Sequence, residues 1–142
     1  MANYISNTRT NYFHVTNIEK FKDLIAHCTG EGEVFIFEEK DSEGEFQFAF
    51  GVYGAFCGYD TGNEDDEPDD QFNEFAVKLQ ALLRPDDACI IYNAGSEKLR
   101  YVGGVATIIT RDKIDSVSLV KAATQKTREL LDDPAWETKS DY

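Results

Sequence analysis

Residues 62 to 72 read GNEDDEPDDQF and set six carboxylates within the eight positions from Asn63 to Asp70. Oxygen ligands clustered in this way can hold a divalent cation, stand in for the phosphates of a nucleic acid, or keep a loop in water. The calcium reading fails on spacing. An EF-hand loop needs oxygen ligands at its positions 1, 3, 5, 9 and 12 and glycine at 6. Counted from Asp60 the third position is Gly62, and counted from Asn63 the sixth is Pro68. Weak, nonspecific cation binding is expected of such a cluster, and no metal site is assigned. Paired carboxylates for glycoside hydrolysis need an apolar pocket that raises one pKa, and acids in a solvated loop lack it.

Other reactive groups are sparse. The GxSxG elbow, the phosphate-binding Walker loop, HExxH and CxxC are absent. His14 falls near the end of a predicted strand and His27 near the end of a predicted helix, where the dipole favours a protonated imidazole. Neither has a second histidine or a cysteine three or four residues on, so both read as surface or partly packed histidines. Cys57, in GAFCGYD, is the thiol best placed to act as a nucleophile, but its acidic neighbours raise a thiol pKa and favour a structural role. The sequence therefore predicts a protein that binds rather than catalyses, with no cofactor.

Charge says what kind of binding. From Glu31 to Glu74 there are fifteen acids against one base, Lys40, a net of −14; the chain as a whole carries −13, so the other residues sum to +1. A field confined to one third of the chain steers basic partners and repels nucleic acid, and no basic patch with interleaved aromatics argues otherwise. Carboxylates mounted on a rigid domain can imitate DNA phosphates, spaced one per ~1.7 Å of duplex axis, and occupy the Lys/Arg channel of a nucleic-acid enzyme. The expected contact is Asp60, Glu64, Asp65, Asp66, Glu67, Asp69 and Asp70, supported by Glu38, Glu39, Asp41 and Glu43 of a neighbouring hairpin. The competing reading is a solvated acidic face on a protein whose function lies elsewhere.

The elements that must hold these groups follow from periodicity. Residues 3 to 15 read as a first strand. Thr16 and Glu19 form a capping-box pattern before a helix whose apolar face is Ile18, Phe21, Leu24, Ile25 and Cys28, closed by Gly30. Val34 to Glu38 and Phe46 to Tyr53 form a hairpin around KDSEGE, and Phe46, Phe48, Phe50 and Val52 share a face expected to be buried. Gly51, Gly54 and Gly58 then loosen the pattern.

Asp69 or Asp70 caps a second helix with Phe72, Phe75, Ala76, Leu79, Leu82 and Leu83 on one side. A second hairpin pairs Ala88 to Asn93 with Leu99 to Thr110, turning over Gly95 and kinked or bulged at Gly103 and Gly104. A third helix from about Ser118 to Leu131 is expected to bury Leu119, Val120, Ala123, Leu130 and Leu131, and residues 132–142 form a mostly extended tail. The order predicts an α+β protein with a mainly antiparallel sheet, helices packed on it, ferredoxin-like split β-α-β elements, and an extra C-terminal strand and helix.

A chain of 142 residues suits one domain spanning 1–142, and 42% hydrophobic content with ten Phe and seven Tyr sets it apart from a disordered acidic tail. No apolar run approaches a membrane span and no signal pattern opens the chain, so a cytoplasmic location is expected. Cys28, Cys57 and Cys89 are odd in number and far apart, which favours reduced thiols.

The opening MANYISNTRTNYFHVTNIEKFKDLI and the segment GSEKLRYVGGVATIITRD resemble small, uncharacterised acidic proteins of bacterial phages and conjugative elements. That resemblance implies an inhibitor of host defence, of the anti-restriction or anti-CRISPR kind, several of which look like DNA to their targets; it carries over no functional residue. The leading expectation is thus a non-enzymatic inhibitor bound to a basic nuclease or effector, without direct nucleic-acid or membrane binding. An immunity protein against a basic toxin would use the same acids. A binder or hydrolase of a signalling nucleotide would instead use Tyr53, Tyr59, Tyr92, Arg100 and Tyr101 around one cavity. Exposed aromatics would also allow a homodimer.

Overall fold

A computed structural model describes residues 5–62, 67–99 and 101–138. Glu64, Asp65 and Asp66 of the expected contact, and Arg100, lie outside the described residues, as does the side chain of Tyr101. The order is β1 (Ile5–Thr10), α1 (Ile18–Ala26), β2 (Cys28–Gly30), β3 (Val34–Lys40), β4 (Phe46–Tyr53), β5 (Phe56–Tyr59), α2 (Pro68–Leu82), β6 (Ala88–Glu97), β7 (Tyr101–Thr110), β8 (Ile114–Ser118) and α3 (Leu119–Leu131). The main sheet runs β3-β4-β1-β6-β7-β8, antiparallel throughout, and β2 pairs with β5 in a small second sheet. With β4 between β1 and β3, and β6 on the far side of β1, the first four long strands stand as a split β-α-β order requires. The α+β expectation is met.

The core forms where the period-2 and period-3.6 patterns meet. Phe48 and Phe50 of β4, Phe21 of α1, Phe75 and Leu79 of α2, and Phe13 from the β1–α1 link are all fully buried. Their rings meet edge-on or tilted, with Phe13–Phe21 at 5.5 Å, Phe21–Phe48 at 5.3 Å and Phe50–Phe75 at 5.7 Å between centroids. β5 joins this layer through backbone. Gly58 has φ +135°, and a Cβ there would sit 2.5 Å from the Gln71 carbonyl oxygen of α2. The glycine expected to loosen the chain instead lets a strand lie directly on a helix.

β1 turns Ser6, Thr8 and Thr10 toward the helices rather than apolar side chains, and all three are buried. Their hydroxyls are occupied. Thr8 Oγ1 donates to the Gly54 carbonyl at 2.8 Å and accepts from Asn93 Nδ2 at 2.8 Å, and Thr10 Oγ1 accepts from Phe50 N–H at 3.0 Å. Among the described residues no buried side-chain nitrogen or oxygen lacks a partner.

Several local expectations are corrected. β1 is shorter than residues 3 to 15, with Phe13 and Val15 making isolated bridges to Phe48 and Leu83. Asn17, not Thr16, caps α1 by accepting from Lys20 N–H at 3.0 Å, because Thr16 gives its N–H and hydroxyl to the Leu82 carbonyl. The helix stops at Ala26 rather than Gly30, since Cys28–Gly30 pairs with β5. α2 starts from Glu67 and Pro68; Asp70, one turn in, accepts the Glu67 N–H at 3.2 Å. Phe46 is 44% exposed at the last pair before the turn, where the Lys40 ammonium lies 5.3 Å from its ring.

Gly95 is inside β6, opposite Gly103, and the reversal comes between Glu97 and Tyr101 with Lys98 at φ 50°. Pairing continues unbroken from Ala88↔Thr110 to Glu97↔Tyr101, so Gly103 and Gly104 carry no bulge. β8 was not expected at all. α3 starts after Ser118 as expected but buries none of its residues: Leu119 is 58%, Leu130 81% and Leu131 55% exposed. The segment after it folds back, with Arg128 Nε donating to the Trp136 carbonyl at 2.8 Å.

Candidate functional site: the acidic surface

The expected contact residues are set by α2. Fifteen helical residues span about 22 Å, and the carboxylates gather at its two ends. Glu67, Asp69 and Asp70 are exposed at its N-terminus, where Asp69 and Asp70 complement the positive end of the dipole, while Asp60, also exposed, follows β5 with its N–H on the His27 carbonyl. The β3–β4 turn is fixed beside its C-terminus, since Arg84 Nη1, just past the helix, pairs with Glu45 Oε2 at 2.7 Å. The two groups assumed to make one patch are therefore far apart.

The hairpin itself is built by Asp41. Its Oδ1 accepts the N–H groups of Glu43 at 2.8 Å and Glu45 at 2.9 Å, while Gly44 supplies φ +83° in open space. Asp41 Oδ2 turns inward to His14 Nε2 at 2.7 Å. Glu43 is exposed at the turn, with no ion pair among the described residues. Glu38 and Glu39 follow each other on β3 and face opposite sides: Glu38 meets Lys22 of α1 at 3.3 Å, and Glu39 accepts from Gln47 Nε2 at 2.9 Å. A partner lying on one face of the sheet would touch only one of them.

His14 is the residue that sequence reasoning set aside. Its Nδ1 lies 2.9 Å from Asp87 Oδ2 and its Nε2 2.7 Å from Asp41 Oδ2, so an aspartate sits on each ring nitrogen. Hydrogen bonds to Asp87 and then Asp41 raise its pKa above the ordinary 6.5. The same contact with His14, helped by the backbone N–H groups of Glu45 and Glu43, lowers that of Asp41. Asp87 is tied as firmly: Oδ2 also accepts the His14 N–H at 2.7 Å, and Oδ1 the Ala88 N–H at 2.8 Å. No local signal marked this cluster, because Asp41 and Asp87 lie 27 and 73 positions from His14.

The residues expected around a nucleotide do not share a cavity among the described side chains. Tyr59 stacks on His27 with centroids 5.8 Å apart and has Lys78 Nζ 4.8 Å from its ring. Tyr53 stands at the end of β4 against Phe35, on the sheet face away from α1 and α2, beside an open hollow that Asn7, Arg9, Phe37 and Gly51 also line. Tyr92 is 49% exposed and is absent from that lining. The three cysteines are free thiols; burial pushes Cys28 up to about 12 and Cys89 higher still, which suits packing rather than reactivity. No helix among the described residues is long and apolar enough to cross a membrane. No protein-family model, curated protein or solved structure matches the chain.

Proposed function

We propose that this protein is a non-enzymatic inhibitor that presents carboxylates, in place of nucleic-acid phosphates, to a basic surface of a nucleic-acid-handling protein. The observation that supports it most is the mounting of the charge. Asp69 and Asp70 ride on the first turn of α2, and Glu43 on a turn pinned by Asp41 and Arg84. Ordering entropy for these groups is spent on folding, not on binding. Two acidic groups about 22 Å apart suit a partner whose cationic groups are strung along a channel better than one with a single deep pocket. The resemblance to acidic proteins of phages and conjugative elements points to a restriction or CRISPR effector as the target class.

The test is capture of partners from a bacterial lysate at about 0.1 M and about 0.5 M salt, followed by inhibition assays on the captured protein. A basic nuclease retained only at the lower salt is expected, and D65N/D66N/D69N/D70N should lose inhibition while keeping its circular dichroism. Equal inhibition by that variant would make the acidic stretch a solvated face. A captured basic toxin would make the protein an immunity factor instead.

A further inference from the structure

We propose that His14 Nε2, Asp41 and Glu45 bind one divalent transition-metal ion, of the zinc or manganese class, with Asp87 as the carboxylate that orients the histidine. One donor atom from each of the three lies within 4.8 Å of the others. The donor set, one imidazole and two carboxylates without thiolate, suits borderline divalent ions. A ligating histidine characteristically gives its other ring N–H to a carboxylate, which fixes tautomer and ring plane. Asp87 holds that position on Nδ1, leaving Nε2 aimed at Asp41.

The geometry is close to what an ion needs. Tetrahedral ligands about 2.0–2.1 Å from zinc stand about 3.3 Å from each other, against 2.7 Å between Nε2 and Asp41 Oδ2 now. The pair has to open by roughly half an ångström. Asp41 stays anchored through Oδ1 while Oδ2 turns to the ion, and Glu45 has only to leave the half-exposed Arg84. Five carboxylates, Asp41, Glu43, Glu45, Asp86 and Asp87, line this hollow of about 450 Å³ against the charges of His14 and Arg84. An excess of negative charge there favours a divalent cation.

Isothermal titration with zinc tests this on the full chain. The parent should take up one ion per chain. H14Q and E45Q should abolish uptake, D87N should weaken it about 10–100-fold, and D69N/D70N, at the other end of α2, should leave it unchanged. R84A, which frees Glu45, should tighten it and thereby separates lost ligation from lost folding. Absence of uptake at millimolar zinc, uptake abolished by D69N/D70N, or no change in both E45Q and R84A would overturn the site.

Discussion

α2 and α3 are both amphipathic, both begin at an ordered N-terminus, and they differ in length by two residues, yet α2 buries Phe75, Ala76, Leu79 and Leu82 and α3 buries nothing. The difference lies in what each meets. α2 drops onto a sheet face already lined by Phe48 and Phe50, with α1 beside it and β5 against its backbone. α3 follows β8, an edge strand, and rests near β7 and β8, where Val102, Val105, Ile114 and Val117 are themselves substantially exposed. A hydrophobic stripe states what a helix could cover; the layer opposite decides whether it does.

The contrast can be broken in order of size. Phe75→Ala should cost about 3–5 kcal/mol, the usual range for emptying a buried phenylalanine site, and appear as a lower midpoint in urea unfolding. A loss below about 1 kcal/mol would place α2 on the same footing as α3. Gly58→Ala tests the strand-on-helix contact: positive φ alone costs about 1–3 kcal/mol, and the clash with Gln71 adds to it. An unchanged midpoint would mean β5 can lift off α2 freely. Leu130→Gln, which keeps helix propensity, should stay within about 0.5 kcal/mol. A loss several times larger would show that α3 is covered in solution, by a second copy or another partner.

How much of this the sequence disclosed depended on the reach of each interaction. Phe48, Phe50, Phe75 and Leu79 were legible because alternation and helical spacing are local and their burial followed from them. The split strand order was legible for the same reason, element by element. Phe46 continued the alternation but fell beyond cover, which alternation cannot report. β8 has a short pattern, IDSVS, in which the polar residues dominate, and its strand state rests on pairing with β7. At the candidate site, individual acids could be named, but their division between the ends of α2 could not, since it depends on where the chain turns back. Glu38 and Glu39 were grouped by proximity in sequence and are separated by the strand pleat. His14 is the extreme case, silent until two distant aspartates converge on it.

The hydroxyl-bearing face of β1 also acts as a proofreader of assembly. A displacement of β1 by one residue would swing Arg9 beneath the helices and turn Ser6, Thr8 and Thr10 out to water, away from Asn93 and the β4 backbone. A misthreaded sheet would thus contain an orphaned guanidinium and leave the Phe50 N–H and the Asn93 amide without their partners. With β1 lying between β4 and β6, one faulty alignment would spoil both seams at once, so the central strand rejects wrong partners by the cost of its polar atoms.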